Sequence, residues 1–445
     1  MRLRAALAGA SVFACCSHGA SAQSTQPLTS VQTAQFLYND TSLVQPAIPA
    51  GFDRGRNVGV VEKARPDFDP TGIPISSFNL YPRLDAGIGA TSNVYLANDD
   101  RRGDGFVELT PRARMISDWS RHALQFNGDV DLQRYFSNSP RNQTEWDLGT
   151  AGRFDVNDEL NFTGQASVGR QFESPYAGSN DATAAVLSNY LTSFLSARGE
   201  YQAGQFRGQV AVDRTTLSFS NIDFNDDTGV DQSNRNRHIV RFTGQAEYAF
   251  TPSVSVYAQG TYSDIDYTHE LAPGVANRDS KGVRLVGGVN FDLASFLRGT
   301  VAVGYVRRNY DSPLYKTVSG PSVEGKLEYF PSDLTTVTLR LRRFLEDSGI
   351  GANAAYFDSR IGLRVDHELL VNLLLNLEGE YGRIDYRQLA SAHRDNFRIV
   401  GGAQYLATRR YGLKGNLSYG HQTSSGFAGR NFTEVAGQVG VYVQI

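Results

Sequence analysis

Cysteine is almost missing from this chain: Cys15 and Cys16 are the only two in 445 residues. From residue 17 onward there is no thiol, which excludes a disulfide scaffold and a cysteine-ligated metal. Long apolar runs are missing too. The richest, Leu369-Leu370-Val371-Asn372-Leu373-Leu374-Leu375, falls far short of the ~18 residues of a spanning helix and is soon followed by Glu378 and Glu380. No charge of one sign dominates. Lys and Arg total 43 against 46 Asp and Glu, a net of −3, which argues against nucleic acid as a partner. Tryptophan and methionine number two each.

What is present points elsewhere. Forty-four glycines, 25 phenylalanines and 22 tyrosines suit many tyrosine-rich strands joined by turns. A mean hydropathy of −0.34 is wrong for a bundle of membrane helices. It suits a closed β-barrel, in which only every second strand residue meets lipid. A single large barrel also explains the length, because barrels grow with strand number rather than core volume.

Residues 1–22 read as a secretion signal. Arg2 and Arg4 start it, Ala5 to about Cys16 form its apolar centre, and Ala20-Ser21-Ala22 supplies a small-residue cleavage site before Gln23. A lipoprotein signal at Val12-Phe13-Ala14-Cys15 fits less well, because Phe13 is bulky where a small residue is wanted. Residues 23–76 hold Pro27, Pro46, Pro49, Pro66, Pro70 and Pro74 and few strand signals. They read as an extended periplasmic segment, with a plug inside the barrel as the other placement.

From about Phe78 apolar and polar residues alternate with period two, as in a sheet with two different faces. Val337, Leu339 and Leu341 alternate with Thr338, Arg340 and Arg342. Phe162, Gly164, Ala166 and Val168 alternate with Thr163, Gln165 and Ser167. The polar face carries dense charge, while the apolar face is nearly free of it. Connections alternate as well. Short ones are read at Val156–Glu159, Thr251–Ser253, Leu293–Ser295, Pro331–Asp333 and Asp366–Glu368. Longer ones are read near Glu173–Val186, Ser220–Asn236, His269–Lys281, Asp311–Ser319, Asp385–Arg394 and His421–Arg430. A transmembrane barrel keeps short turns on one rim and long loops on the other; a soluble sandwich has no reason to.

The reading is therefore all-β: an antiparallel up-and-down transmembrane barrel over 77–445 with about 18 strands, 16 being the alternative. Strand centres fall near Ile88, Leu109, Phe126, Leu148, Ala166, Phe194, Val210, Thr243, Tyr257, Val286, Val303, Gly325, Leu339, Ile361, Leu375, Gly401, Leu417 and Val441. The chain's last strand carries Gln438, Gly440, Val443 and Ile445. That pattern resembles the C-terminal assembly signal of bacterial outer-membrane proteins, although Ile445 stands where an aromatic is more usual.

The region before and around the first strands resembles a known family. Arg65-Pro66-Asp67-Phe68-Asp69-Pro70-Thr71-Gly72-Ile73, Phe78-Asn79-Leu80-Tyr81-Pro82, Asn93-Val94-Tyr95 and Trp119-Ser120-Arg121-His122 are similar to the outer-membrane β-barrel porin family, type 2. The resemblance covers nearly all of the chain after residue 22. It implies a barrel in the outer membrane of a Gram-negative bacterium. More loosely it implies a role with exopolysaccharide-production genes, in moving or securing polysaccharide.

Catalytic signals are weak. His122, His238, His269, His367, His393 and His421 form no metal pair or H-E-x-x-H motif, and no G-x-S-x-G elbow occurs. Ser424 and Ser425 near His421 raise a hydrolase reading, with no third residue to orient it. Asp223–Gly229 resembles a calcium loop, but its glycine is one place late and Asn234 stands where glutamate is needed. No catalytic residue, cofactor or metal is assigned. The candidate functional residues are instead those expected to line the lumen: Arg112, Arg114, Arg207, Arg241, Arg284, Arg340, Arg342, Arg360, Arg364, Glu247, Glu324, Glu328, Glu378 and Glu380. They could either pair across strands or form a mixed-charge channel wall. The expected function is porin-like passage, or an accessory part in surface polysaccharide export. The alternatives are a closed anchoring barrel that binds a periplasmic partner and, last, an outer-membrane hydrolase. Expected partners are outer-membrane lipid and lipopolysaccharide, the outer-membrane assembly machinery, and polysaccharide or periplasmic export components.

Overall fold

The computed structural model describes residues 57–179, 187–223, 229–293, 296–349, 353–388, 392–426 and 431–445. The expected secretion signal and most of the proline-rich segment lie outside them. A short strand β1 (Ile73–Ile75) leads into β2 (Phe78–Thr91), β3 (Asp104–Ser117), β4 (Ala123–Tyr135), β5 (Gln143–Asp155), β6 (Leu160–Phe172), β7 (Asn189–Ala203) and β8 (Phe206–Phe219). A two-stranded ribbon, β9 (Ile222–Asp223) and β10 (Gly229–Val230), stands apart. Then follow β11 (Arg237–Thr251), β12 (Val254–Tyr267), β13 (Ser280–Leu293), β14 (Leu297–Tyr310), β15 (Val318–Ser332) and β16 (Thr335–Asp347). The last are β17 (Ala355–Leu370), β18 (Leu373–Tyr386), β19 (His393–Leu406), β20 (Tyr411–Ser425) and β21 (Phe432–Gln444).

Each long strand pairs antiparallel with the next, and β21 pairs back onto β2 from Arg83↔Gln444 to Thr91↔Ala436. Closure leaves no free edge in the wall. The barrel has 18 strands, and each expected strand centre falls in a different one. No helix among the described residues is long and apolar enough to cross a membrane.

The pleat separates two faces. Ile88, Leu148, Leu195, Val210, Phe242, Leu285, Leu377, Leu417 and Val439 point outward and are 53–67% exposed. So large an apolar belt is stable only against lipid. Val210→Arg, near the belt's middle, should therefore destabilise the folded barrel by about 2–4 kcal/mol. Equilibrium unfolding in phospholipid vesicles measures it. A cost near zero would mean that the face does not meet hydrocarbon.

The short turns 118–122, 156–159, 204–205, 252–253, 333–334, 371–372 and 407–410 share one rim. The described parts of the longer connections, 92–103, 173–179, 187–188, 220–223, 229–236 and 268–279, lie toward the other. One expected turn is misplaced. Asp366, His367 and Glu368 lie within β17, and the turn comes later, at 371–372. The two acids are the inward face of a strand end, where Asp366 meets Arg364 and Glu368 meets Arg65. The true tip is apolar: Leu369, Leu370 and Val371 are more than half exposed.

Candidate functional site

The lumen is where the inward side chains meet, and the cross-strand register assigns each one. Arg112 and Arg114 project inward from β3, opposite Asp129 and Asn127 of β4. Arg207 lies between Glu200 (3.1 Å) and Glu247 (3.6 Å). Arg241 meets Asp213 at 2.8 Å, and Arg284 meets Glu324 at 3.0 Å. Arg340 stands opposite Lys326, and Glu328 binds both Lys326 (2.9 Å) and Arg298 (2.7 Å). Arg342 and Arg360 share Asp358; Arg360 also meets Glu380 at 2.8 Å, and Arg364 meets Glu378 at 3.1 Å. The structure thus places all fourteen candidates on the inner face, many of them tied to a neighbour of opposite sign. Tyr257 is also inward, with its hydroxyl 3.2 Å from that of Thr300. Of the terminal residues, Gln438 and Gly440 face inward, while Val443 and Ile445 face outward.

Three chain segments leave the wall or its rims and enter this space. The first is residues 57–70, which cross the inner side of the short-turn rim. The Asn57 side chain donates to Asp292 (2.6 Å), the Val60 amide to Thr336 Oγ1 (2.9 Å), and Arg298 to Glu62 (2.6 Å). Arg65 reaches Glu368 (2.7 Å), and Arg409 donates to the Pro66 carbonyl (2.8 Å). Val60, Val61 and Phe68 pack on Leu374, Leu406 and Tyr442. The strap thus runs from β13 to β21, half the circumference, before β1 pairs with the foot of β2.

The second insertion is residues 173–179, beyond β6. Glu173 and Arg235 form a buried pair (Nη1–Oε2 2.9 Å), and Ser179 Oγ donates to Glu173 (2.8 Å). From there the segment reaches the far wall. The Tyr176 carbonyl accepts from Arg360 (2.9 Å) and Asn396 (3.2 Å), the Ala177 carbonyl from Arg394 (3.3 Å), and the Gly178 carbonyl from Tyr386 (2.9 Å). The Tyr176 ring packs on Phe432 and lies under Arg398. A side chain at Gly178 would meet the Tyr356 ring at 2.6 Å, and one at Gly420 would collide with the Tyr176 hydroxyl. Both glycines are required by this close approach. Burial alone would raise the Glu173 carboxyl, but the Arg235 charge and the bonds from Arg235, Ser179 and Ser188 hold it below its ordinary 4.5.

The third is the tip of the β16–β17 hairpin. Pairing of β16 with β15 stops at Val323↔Arg343, while β16 and β17 stay paired to Asp347↔Ala355. Asp347 reaches Arg308 of β14 and Arg237 of β11 (3.3 Å). Four strands lie between β16 and β11, five spacings or ~24 Å at ordinary strand separation, so the tip must fold across the inner face. Leu345 and Phe357 then bury against Val306 and Val318. A cavity of about 150 Å³ with a mixed lining remains beneath it, bounded by Arg241, Gln259 and Arg284 and by Ile239, Val306 and Phe344 among others.

All three insertions cover the β11–β21 side. The inner wall of β3–β7 stays half-exposed at Glu108, Arg112, Asp129, Asp131, Glu145, Arg153, Gln165, Arg198 and Glu200. Glu108, Asp129, Asp131, Glu145 and Asp147 form an acidic strip on β3–β5. Half a turn around the ring, β14–β16 present Arg298, Lys326, Arg340 and Arg342.

The remaining sequence candidates are not brought together. His421 points outward and bonds Thr433 (3.0 Å), whereas Ser424 lies on the inward parity. Ser425 shares the face of His421 but is four strand residues away, ~13 Å. His122 sits in a short turn, where its Nδ1 accepts from the Asp155 amide (3.1 Å), and His367 bonds Thr335 (2.9 Å). Phe224–Thr228 of the acidic loop lie outside the described residues. Among the described residues no group of three or more metal-ligating side chains occurs.

Residues 65–445 match the sequence model of a family described as "Putative beta-barrel porin 2". No curated protein is similar enough to match. Solved structures with similarity include Pseudomonas aeruginosa OpdL, at 11% identity over 83% of this chain and 100% of that one, with a TM-score of 0.43. P. aeruginosa OccK2 (OpdF), crystallised with glucuronate, matches at 12% over 82% and 98%, with a TM-score of 0.45. A BenF-like porin from Pseudomonas fluorescens Pf-5 matches at 10% over 83% and 100%, with a TM-score of 0.44.

Proposed function

The chain belongs to the β-barrel porin 2 family of outer-membrane barrels, and from that premise we propose that it gives small polar solutes a passive, narrow, water-filled route across the outer membrane. The observation that carries this reading is the one-sided filling of the lumen. The inserted segments bury the β11–β21 wall, whereas charged side chains on β3–β7 keep contact with solvent. Buried charge that is fully paired stiffens a wall; half-exposed charge facing a wide interior is what a hydrated path requires. The acidic strip of β3–β5 faces that path, whereas on β14–β16 Arg298, Lys326 and Arg342 are paired with Glu328, Glu62 and Asp358. With the signs nearly balanced, charge selectivity is weak. The short-turn rim, which carries both ends of the barrel, faces the periplasm. The physiological setting we propose, from the family resemblance, is surface-polysaccharide production.

Purified protein in planar bilayers tests the proposal. Ohmic steps well below those of an unobstructed 18-strand barrel are expected, with cation-to-anion permeability near one. Silence of the intact chain, together with steps from a variant lacking residues 174–179, would instead support the second reading. In that reading the barrel is closed and serves as an anchor, which the buried strap at 57–70 favours.

A further inference from the structure

Most inward arginines of this barrel meet carboxylates, and so do the outward Arg343 and Arg383, which reach Asp385 and Asp395; the outward arginines of β2–β8 keep different company. Inward Arg207, Arg241, Arg284, Arg298, Arg360 and Arg364 each meet a carboxylate. On the outward face of β2 through β8 the register leaves three charges: Arg134 of β4, Arg170 of β6 and Arg214 of β8. Arg134 donates to the carbonyls of Gln133 (2.9 Å) and Gln143 and to Thr144 Oγ1 (2.7 Å). Arg170 donates to Asn189 Oδ1 (3.3 Å), and Arg214 is exposed. Among the described residues none of the three meets an acid.

Their height is equally one-sided. All three stand toward the long-loop ends of their strands. Toward the short-turn ends the same outward face shows Phe126, Phe154, Phe162, Tyr201 and Phe206. Cations without counter-ions are costly in hydrocarbon and favourable beside anionic headgroups, so this edge marks a polar boundary with negative charge. The cations recur on every second strand, each four residues out of register with the next and so ~16 Å apart. Between the first two lies Trp146 of β5, opposite Arg170, at the depth where indole rings favour a membrane interface.

We propose that Arg134, Arg170 and Arg214 form a docking surface for the phosphate groups of a glycolipid in the leaflet that faces the long loops. The proposal concerns the lipid-facing wall and does not depend on conduction through the lumen.

The test uses the full barrel in detergent and three probes: bis-phosphorylated lipid A, the same lipid with both phosphates removed, and phosphatidylglycerol. Binding is read by native mass spectrometry. The phosphorylated glycolipid should bind, and loss of its phosphates should weaken binding at least tenfold. Arg134→Gln, Arg170→Gln and Arg214→Gln should each weaken it about fivefold, while Arg214→Lys should retain it and Arg121→Gln, in a short turn, should change nothing. The single variants decide the matter if the triple variant fails to fold. The proposal is overturned if the dephosphorylated lipid or phosphatidylglycerol binds equally well, or if the Gln variants bind like the parent.

Discussion

Arg235→Ala should raise single-channel conductance several-fold, because Arg235 holds the segment that narrows the lumen. Its guanidinium makes two bonds to Glu173 and one each to Gln232 Oε1 (2.6 Å), Ser188 Oγ (3.4 Å) and the Ser179 carbonyl (3.3 Å). The side chains of the pair are 6% and 0% exposed. Removing one partner of a buried ion pair costs about 3–5 kcal/mol, because the other charge is left without compensation. The segment can avoid that cost by withdrawing Glu173 into solvent. Doing so draws Tyr176 away from Phe432 and the carbonyls of residues 176–178 away from Arg360, Asn396, Arg394 and Tyr386. Those donors would then face open water, which satisfies them. Arg235→Lys should give an intermediate conductance, since lysine keeps the charge but cannot fork.

Proton linkage supplies a second readout. A carboxyl held below its ordinary 4.5 contributes stability that is present above that value and lost as pH falls through the lower, folded-state value. Conductance of the parent should therefore stay flat from neutral pH down to about 4.5 and rise only in stronger acid. Arg235→Ala should show the open level throughout. Equal conductance of parent and variant at neutral pH would mean that residues 173–179 do not set the limiting width.

The barrel itself was readable because its signal is local: period-two alternation needs only neighbours, and all eighteen strand centres could be placed that way. The insertions were not, because their contacts span the chain. Tyr176 and Asn396 are 220 residues apart, and Asn57 and Asp292 are 235 apart. Local traces of them do exist. Leu374, Leu406 and Tyr442 are apolar on a face that is otherwise polar, and Val60, Val61 and Phe68 explain them. Asp366 and Glu368 show the reverse error: two acids close together resemble a turn, yet each is neutralised inside a strand end by an arginine. Period-two alternation implies a nearly uncharged outward face, which holds for its middle but not for its long-loop edge, where Arg134, Arg170 and Arg214 stand.

The strap at residues 57–70 gives the other large expected effect. Arg298 is 2% exposed and gathers Glu328, both oxygens of Glu62 and the Asn57 carbonyl (2.8 Å). In Arg298→Ala, Glu328 retains Lys326 at 2.9 Å, but Glu62, whose side chain is 32% exposed, keeps only the Gly59 amide and water. The expected loss is about 1–3 kcal/mol, comparable to what the remaining polar contacts of the strap's first half supply: two bonds from the Asn57 side chain, to Asp292 and to the Leu293 carbonyl, and one from the Val60 amide. The strap should then detach from β13–β16 while Arg65 still holds it at Glu368, so that it swings from that point rather than leaving altogether. Cysteine labelling resolves this directly, since the barrel contains no thiol of its own. Val60→Cys, 1% exposed, should resist a water-soluble maleimide in the parent and react rapidly once Arg298→Ala is added. A double-mutant cycle identifies the partner that matters: Glu62→Ala should couple strongly to Arg298→Ala, since it removes the stranded charge and relieves part of the loss. Slow labelling of Val60→Cys in the Arg298→Ala background would show that the apolar seat of Val60 on Leu374, Leu406 and Tyr442 is enough to hold the strap without the ion pairs.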